Sequence, residues 1–257
     1  MKTFQLSEKL LKKIADLIQA KKNSPLKKLV KDIHFADMAE IINELNLDEG
    51  VYLIKLFDSE KTSEILTELD DDVREKILKR LSVKEIADEI EELDSDDAAD
   101  ILGELSNQRK EEVISEISDN NLADSLKELL SYDENSAGGL MAKELVKANE
   151  NWTVTRCLKE IKQQGENVTR VHSIYVVDDK EKLIGRLSLK DLIISPSKKL
   201  IKEIYIPKVD SVNVFEDGEE VAKIMSKYDL EAIPVINNKK QLLGRITIDD
   251  IVDLIKE

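Results

Sequence analysis

The sequence predicts a multidomain protein, an all-α superhelical solenoid of short helices followed by an α/β pair, and three observations carry that prediction. Apolar and capping residues recur every twelve positions from Phe35 to Leu130. A β-branched stretch beginning at Ser173 recurs 59 residues further on. Between the two patterns the rhythm breaks at Ser136-Ala137-Gly138-Gly139.

Residues 1–34 form the lead-in. Phe4, Leu6, Leu10, Leu11, Ile14, Leu17 and Ile18 fall near helical spacing, so one amphipathic helix is expected from Phe4 to Ala20. Nine lysines against three acids up to His34 make this segment basic, which suits either packing on the next helices of the chain or an acidic or membrane surface. Asn23-Ser24-Pro25 breaks the helix and starts the next.

Residues 35–130 divide into eight units of twelve. The eighth place is Ile42, Ile54, Leu66, Leu78, Ile90, Leu102, Ile114 and Leu126, and the eleventh is Leu45, Phe57, Leu69, Leu81, Leu93, Leu105, Ile117 and Leu129. The twelfth is Asn46, Asp58, Asp70, Ser82, Asp94, Ser106 and Ser118 before the pattern lapses at Leu130. These are N-cap residues, preferred where the backbone has left a helix, so one continuous helix is excluded. Each unit is a helix of two or three turns and a tight corner, too short to stand alone in water and stable only when stacked. Ser82 and Glu85 have capping-box spacing.

The surface of this ladder carries the charge. It holds 29 Asp and Glu against 10 Lys and Arg, within a chain of net charge -15. Such a balance argues against nucleic acid and toward cationic partners or metal ions. The densest knot is Leu93-Asp94-Ser95-Asp96-Asp97-Ala98-Ala99-Asp100, where Asp96, Asp97 and Asp100 crowd the first turns of one helix. Capping and the helix dipole favour acids there, and a divalent cation would relieve their mutual repulsion. The lone Cys157 has no internal disulfide partner, which fits a reducing compartment. No apolar run approaches the ~18 residues of a membrane span, and the N-terminus lacks the apolar core of a signal peptide, so the chain as given is expected to be soluble.

Residues 131–141 are the junction. Gly138 and Gly139 are expected to act as a hinge, to adopt positive φ, or to let another backbone approach. After them, Ser173-Ile174-Tyr175-Val176-Val177-Asp178-Asp179 to Gly185-Arg186-Leu187-Ser188-Leu189-Lys190-Asp191-Leu192 recurs as Ala232-Ile233-Pro234-Val235-Ile236-Asn237-Asn238 to Gly244-Arg245-Ile246-Thr247-Ile248-Asp249-Asp250-Ile251. Each copy reads as strand, turn, strand and a helix capped by Ser188 or Thr247, preceded by an amphipathic helix near Thr153–Gln164 or Asp217–Tyr228. The copies span 142–202 and 203–257.

The pairs Gly185/Ser188/Asp191 and Gly244/Thr247/Asp250 resemble the Gly-x-x-Thr-x-x-Asp pattern of tandem CBS domains. Together with the ladder, the Leu-Asp-Ser-Asp-Asp-Ala-Ala-Asp-Ile-Leu run and the Ser-Ala-Gly-Gly-Leu-Met junction, the chain resembles the cytosolic region of an MgtE-type magnesium transporter from about residue 35 onward. The resemblance implies an α-helical N domain, a CBS pair that dimerises, and a membrane-embedded ion pathway to which a connecting helix would lead. The sequence stops at Glu257, where that helix is expected to begin. An excised regulatory portion is the preferred expectation over a free-standing relative, and the expected location is the cytoplasmic face of the cell membrane.

The resemblance further implies that Mg²⁺ bridges acids of the N domain and the CBS pair and favours the closed transporter. Carried over by motif, the candidate ligands are Asp97 and Asp100, with Asp96 as neighbour, and on the other side Asp217, Glu219, Asp229, Asp250 and Asp253. Asp250 and Asp253, three apart, share a helix face in any case. Mg²⁺ suits such a site because it holds several waters and takes one or two carboxylates. A second reading is an adenine-nucleotide sensor using Ser188/Asp191 and Thr247/Asp250, and a third is an interaction scaffold built on the solenoid. An enzyme is not expected. His34 and His172 are isolated, Cys157 lacks a recognisable histidine partner, Trp152 is expected to pack rather than touch a ligand, and there is no P-loop or zinc-spaced Cys/His cluster.

Overall fold

The computed structural model describes residues 4–168 and 170–256. The lead-in forms two helices, α1 (Glu8–Gln19) and α2 (Asn23–Val30). The first starts later than Phe4 because Ser7 caps it, its side chain accepting from the Leu10 amide at 3.3 Å. Ile14 and Ile18 are buried, and Lys9, Lys12 and Lys13 lie on the opposite, exposed face.

The twelve-residue rhythm is obeyed almost to the residue. Helices α3 (Phe35–Asn43), α4 (Leu47–Ile54), α5 (Ser59–Thr67), α6 (Asp71–Leu78), α7 (Val83–Ile90), α8 (Ser95–Gly103), α9 (Asn107–Glu116) and α10 (Asn120–Leu129) follow in order. Asn46, Asp58 and Ser82 accept from the amides three residues on, and Ser82 with Glu85 forms the expected capping box. The last cap moves by one: Asp119, not Ser118, accepts from an α10 amide, that of Asn121. The Ser118 amide donates to Glu91 instead.

The eighth place is buried in every unit except at Ile114, where Val113 takes the core position. The eleventh is buried at Leu69, Leu81, Leu105, Ile117 and Leu129 and half-buried elsewhere, since it lies past the helix end at the corner. Alternate helices stack, α3 on α5, α5 on α7, α7 on α9, with α4 on α6 forming the other layer.

Stacking leaves helix C-terminal carbonyls to be satisfied, and cations from later helices do this. Lys61 Nζ donates to the carbonyls of Val30, Lys31 and Ile33, Arg74 to those of Thr67 and Leu69, and Arg109 to those of Leu78 and Leu81. Glu89 departs from the pattern. It occupies the seventh place of its unit, where Ile41, Leu53, Ile65, Ile77, Ile101 and Val113 are all core residues. Burial, followed by the charges of Asp88, Glu92, Glu85 and Asp58, pushes its carboxyl up to about 8, and Oε2 is buried without a hydrogen-bond partner.

The chain forms two compact units. One runs as far as Leu93 and includes Asp100–Asp124; the other takes Asp94–Ala99 and everything from Ser125 on. Helices α8 and α10 are therefore each divided, and the division falls elsewhere than the expected 130/131 boundary.

In the second unit, β1 (Val146–Asn149), β2 (Ile174–Val177) and β3 (Leu183–Leu187) form one sheet, and β4 (Val212–Asn213), β5 (Ala232–Ile236) and β6 (Leu242–Thr247) another. The first two strands of each sheet are parallel, joined by α11 (Val154–Gln164) or α13 (Gly218–Tyr228), and the last two are antiparallel. The 59-residue repeat holds in detail, including a register shift at Val176/Val177 and its counterpart at Val235/Ile236. Short helices α12 (Leu189–Ile194) and α14 (Ile248–Lys256) complete the copies.

The copies exchange backbone: Ala142 bridges to Arg245 of β6, and Ile206 to Arg186 of β3. This exchange explains the repeated Gly-Arg. A Cβ on Gly185 would lie 2.3 Å from the Ile206 carbonyl oxygen, and one on Gly244 would lie 2.5 Å from that of Ala142. At the junction, the Gly138 amide donates to the Val214 carbonyl at 2.8 Å, and a Cβ on Gly139 would sit 2.4 Å from the Asp133 oxygen. No described glycine has positive φ. Close backbone approach is thus the reading this packing supports, and the expected hinge at Gly138 and Gly139 finds no support in it.

Candidate metal site

Asp96 and Asp250 are the candidates that the second unit brings into one electrostatic environment. Asp96 lies in the first turn of α8 and Asp250 in the first turn of α14. Burial holds the Asp96 carboxyl well above the usual range, and the next cause is the negative charge of Asp250, followed by that of Asp97. Asp250 is pushed up to about 6 by its own burial, against two hydrogen bonds that favour its charged form, from the Thr247 amide at 2.7 Å and the Thr247 hydroxyl at 2.9 Å. Two carboxyls that burial keeps from ionising, one of them also opposed by the charge of the other, are a place where a divalent cation replaces protons.

Each of these acids is set by its own helix start. Asp96 Oδ1 accepts from the Asp97 amide at 3.0 Å. The start of α8 is held by residues that sequence reading did not single out. The Ser95 amide and hydroxyl both donate to Glu144 Oε2, at 3.0 and 2.8 Å, and the Ser95 hydroxyl accepts from the Lys143 amide at 2.8 Å. Arg245, almost fully buried, donates from Nε to the Glu144 carbonyl and lies 3.5 Å from Asp94. The repeated Gly-Arg was the available signal for Arg245. Glu144 had none, because its contact is 49 residues away in sequence.

Asp97 is exposed, in the same turn as Asp96. Asp100 is exposed and belongs to the other compact unit. Asp217 caps α13, accepting from the Glu219 amide at 3.0 Å, and both side chains are exposed. Asp229 ends α13 in the left-handed conformation with φ 52°. Asp253 is exposed one turn beyond Asp250. Among the described residues no three His, Cys, Asp or Glu side chains gather into a cage for a metal ion. The donor set fits a largely hydrated ion held by one or two carboxylates and not a dehydrating cage.

The expected nucleotide pairs are formed as local caps. The Ser188 hydroxyl donates to Asp191 at 2.7 Å while the Asp191 amide donates back at 3.0 Å, and Thr247 is paired with Asp250 as above. His34 caps α3, accepting at Nδ1 from Ala36, and Trp152 packs on the core of the first copy with Arg156 over its ring. Burial, with Glu160 beside it, pushes the Cys157 thiol up to about 12, so it is held as a thiol in the core.

Comparison with known proteins agrees with this architecture. The family model for the MgtE intracellular N domain matches residues 33–135, and that for the CBS domain matches 137–197 and 201–257. The chain is 39% identical over 125 residues to the magnesium transporter MgtE of Thermus thermophilus, and 38% identical over 128 residues to that of Enterococcus faecalis. Each match covers about half of this chain, 49% and 50%, and 28% of the transporter's length. Among solved structures, the cytosolic domain of the Mg²⁺ channel MgtE in complex with ATP is similar with a TM-score of 0.87 and 30% identity, covering 95% of this chain and 99% of that one. The soluble part of a magnesium transporter is similar with a TM-score of 0.81 and 27% identity, covering 97% and 98%.

Proposed function

Because the chain belongs to the MgtE family, as an intracellular N domain followed by tandem CBS domains, we propose that it is a Mg²⁺-sensing regulatory region of a magnesium transporter, acting at the cytoplasmic face of the membrane. The observation that carries this reading is the pair Asp96 and Asp250 in one unit of the fold, two carboxyls that burial holds above their usual range, Asp96 also by the negative charge of Asp250 and Asp250 by that of Asp249. Mg²⁺ supplies two positive charges and hydrogen-bonding waters there. Asp96 and Asp250 are its ligands, with Asp97 next in line. Loss of the ion leaves the charge of Asp250 acting on Asp96 uncompensated, which opposes the arrangement. The family relationship supports coupling this change to closure of an ion pathway. No helix of the described residues is long and apolar enough to cross a membrane. The reading assigns the pathway itself to a membrane domain of the transporter.

Isothermal titration with MgCl₂ at constant ionic strength tests the reading. The wild-type chain is expected to bind with an affinity that Asp96→Asn and Asp250→Asn each lower at least tenfold. Equal binding by wild type and both variants overturns it.

A second reading is carried by the similar structure solved with ATP. An adenine nucleotide held by Ser188 and Asp191, or by Thr247 and Asp250, would bind in EDTA as well as in Mg²⁺. The same titration with ATP in EDTA separates the two. Homodimerisation through the CBS pair fits the exposed apolar side chains Ile193 and Ile194 on α12 and Val252 and Ile255 on α14, which association would cover. Indifference to both ligands would instead favour a scaffold.

A further inference from the structure

We propose that Glu144 is a positioning residue for the cation site: a Ser95–Glu144–Arg245 clasp aligns the helix start carrying Asp96 with the one carrying Asp250. The inference rests on the Mg²⁺ reading above and adds a residue that the acidic motifs do not contain.

Ser95 is fully buried, and a buried serine needs partners for both its hydroxyl and its amide. Glu144 Oε2 accepts from both, at 2.8 and 3.0 Å, and the hydroxyl oxygen accepts from the Lys143 amide. The amide of Ser95 is among the unpaired donors of the first turn of α8, so the Glu144 carboxylate caps this helix from elsewhere in the chain. Asp96 is the next residue, and its direction follows from where that turn is pinned.

Glu144 is fixed in its turn. Arg245 Nε donates to the Glu144 carbonyl, and the backbones of Ala142 and Arg245 exchange hydrogen bonds of 2.8 and 2.9 Å. Two residues beyond Arg245, Thr247 holds Asp250 by its amide and hydroxyl. The path from Asp96 to Asp250 thus runs through Ser95, Glu144, Arg245 and Thr247, every link a hydrogen bond or one or two residues of backbone. Arg245 also lies 3.5 Å from Asp94 on the other side of Ser95, so both flanks of the α8 start are tied to β6.

A carboxylate this close to a cation site also contributes charge, and the conservative variant separates the two roles. Glutamine keeps an oxygen that accepts from the Ser95 amide and hydroxyl; alanine leaves both unpaired. Mg²⁺ titrations by calorimetry, with circular dichroism to verify folding, are expected to show the binding midpoint of Glu144→Ala raised about tenfold, the effect of losing hydrogen bonds to a charged acceptor. Glu144→Gln is expected within about twofold of wild type, and Ser95→Ala between the two. Should Glu144→Ala fail to fold, Glu144→Gln and Ser95→Ala decide the matter by the same criterion. A midpoint unmoved by Glu144→Ala or Ser95→Ala overturns the clasp, as does a Glu144→Gln loss as large as that of alanine. A wild-type chain that ignores Mg²⁺ overturns the clasp together with the reading it rests on, whereas a responsive wild type with an unmoved Glu144→Ala overturns the clasp alone.

Discussion

Both parts of the molecule are built by repetition, twelve residues at a time in the ladder and 59 at a time in the CBS pair, yet they close their backbones differently. In the ladder, helices stop short of one another, and long side chains cross the gap: Lys61, Arg74 and Arg109 reach helix C-terminal carbonyls. In the CBS pair, backbone meets backbone directly, and the residue at the meeting point is glycine. A side-chain bridge tolerates adjustment, whereas a contact at 2.5 Å from a missing Cβ does not. The ladder should therefore respond to substitution in graded steps and the pair by collapse.

The sharpest way to break this comparison is to add one methyl group in each region. Gly185→Ala or Gly244→Ala places a Cβ against backbone atoms and is expected to destabilise by about 3 kcal/mol or more in urea unfolding. In the ladder, Gly103→Ala meets nothing within 4 Å and is expected to be neutral or to stabilise by up to ~1 kcal/mol. Equal losses would erase the distinction.

Next comes Arg74→Ala, which removes the donor to Thr67 and Leu69 and leaves Glu104 without its ion-pair partner; a loss of about 2 kcal/mol is expected by the same assay. The exposed Lys76–Asp72 pair on the same helix serves as the control, since Lys76→Ala is expected to change stability by only a few tenths of a kcal/mol.

Glu89→Leu sharpens the comparison from the other side, by making the ladder more regular. The folded carboxyl is raised to about 8, above its unfolded value near 4.5, so the folded state keeps a proton that the unfolded state has lost and stability falls as pH rises between those values. The variant is expected to gain ~1–2 kcal/mol at pH 8, after allowance for solvent screening of a half-buried group, and to flatten the stability profile from pH 5 to 8. An unchanged profile would mean that Glu89 is ionised at no cost. A smaller loss than that of Arg74→Ala is expected for Asn46→Ala, about 1 kcal/mol for a helix cap in the same urea unfolding.

Legibility in the sequence divides along the same line. The ladder could be read because its determinants are local: a cap and two apolar places within each twelve residues, so that Asn46, Asp58 and Ser82 announced helix starts directly. The lapse at Ser118 was not legible, because a partner 27 residues away, Glu91, takes that amide. In the pair, the repeated Gly-Arg was visible but its reason was not, since Ala142 and Arg245 meet from more than a hundred residues apart. The candidate site mixes the two cases. The resemblance pointed to Asp97 and Asp100 with Asp96 only as their neighbour, and to Asp250 alongside Asp253; Asp217 and Asp229, chosen by the same resemblance, sit at the two ends of α13, and nothing local distinguishes these roles. Ser95, Glu144 and Arg245 became legible only once strands from distant parts of the chain were side by side.

The central claim, a divalent-cation site at Asp96 and Asp250, is tested most directly by hydrogen–deuterium exchange of the chain in MgCl₂ against NaCl of equal ionic strength, with the Asp96→Asn/Asp250→Asn variant alongside. Mg²⁺ is expected to slow exchange at the first turns of α8 and α14 in the wild type and to leave the variant unchanged. Identical exchange of the wild type in both salts, or the same Mg²⁺-dependent protection in the variant, would contradict it.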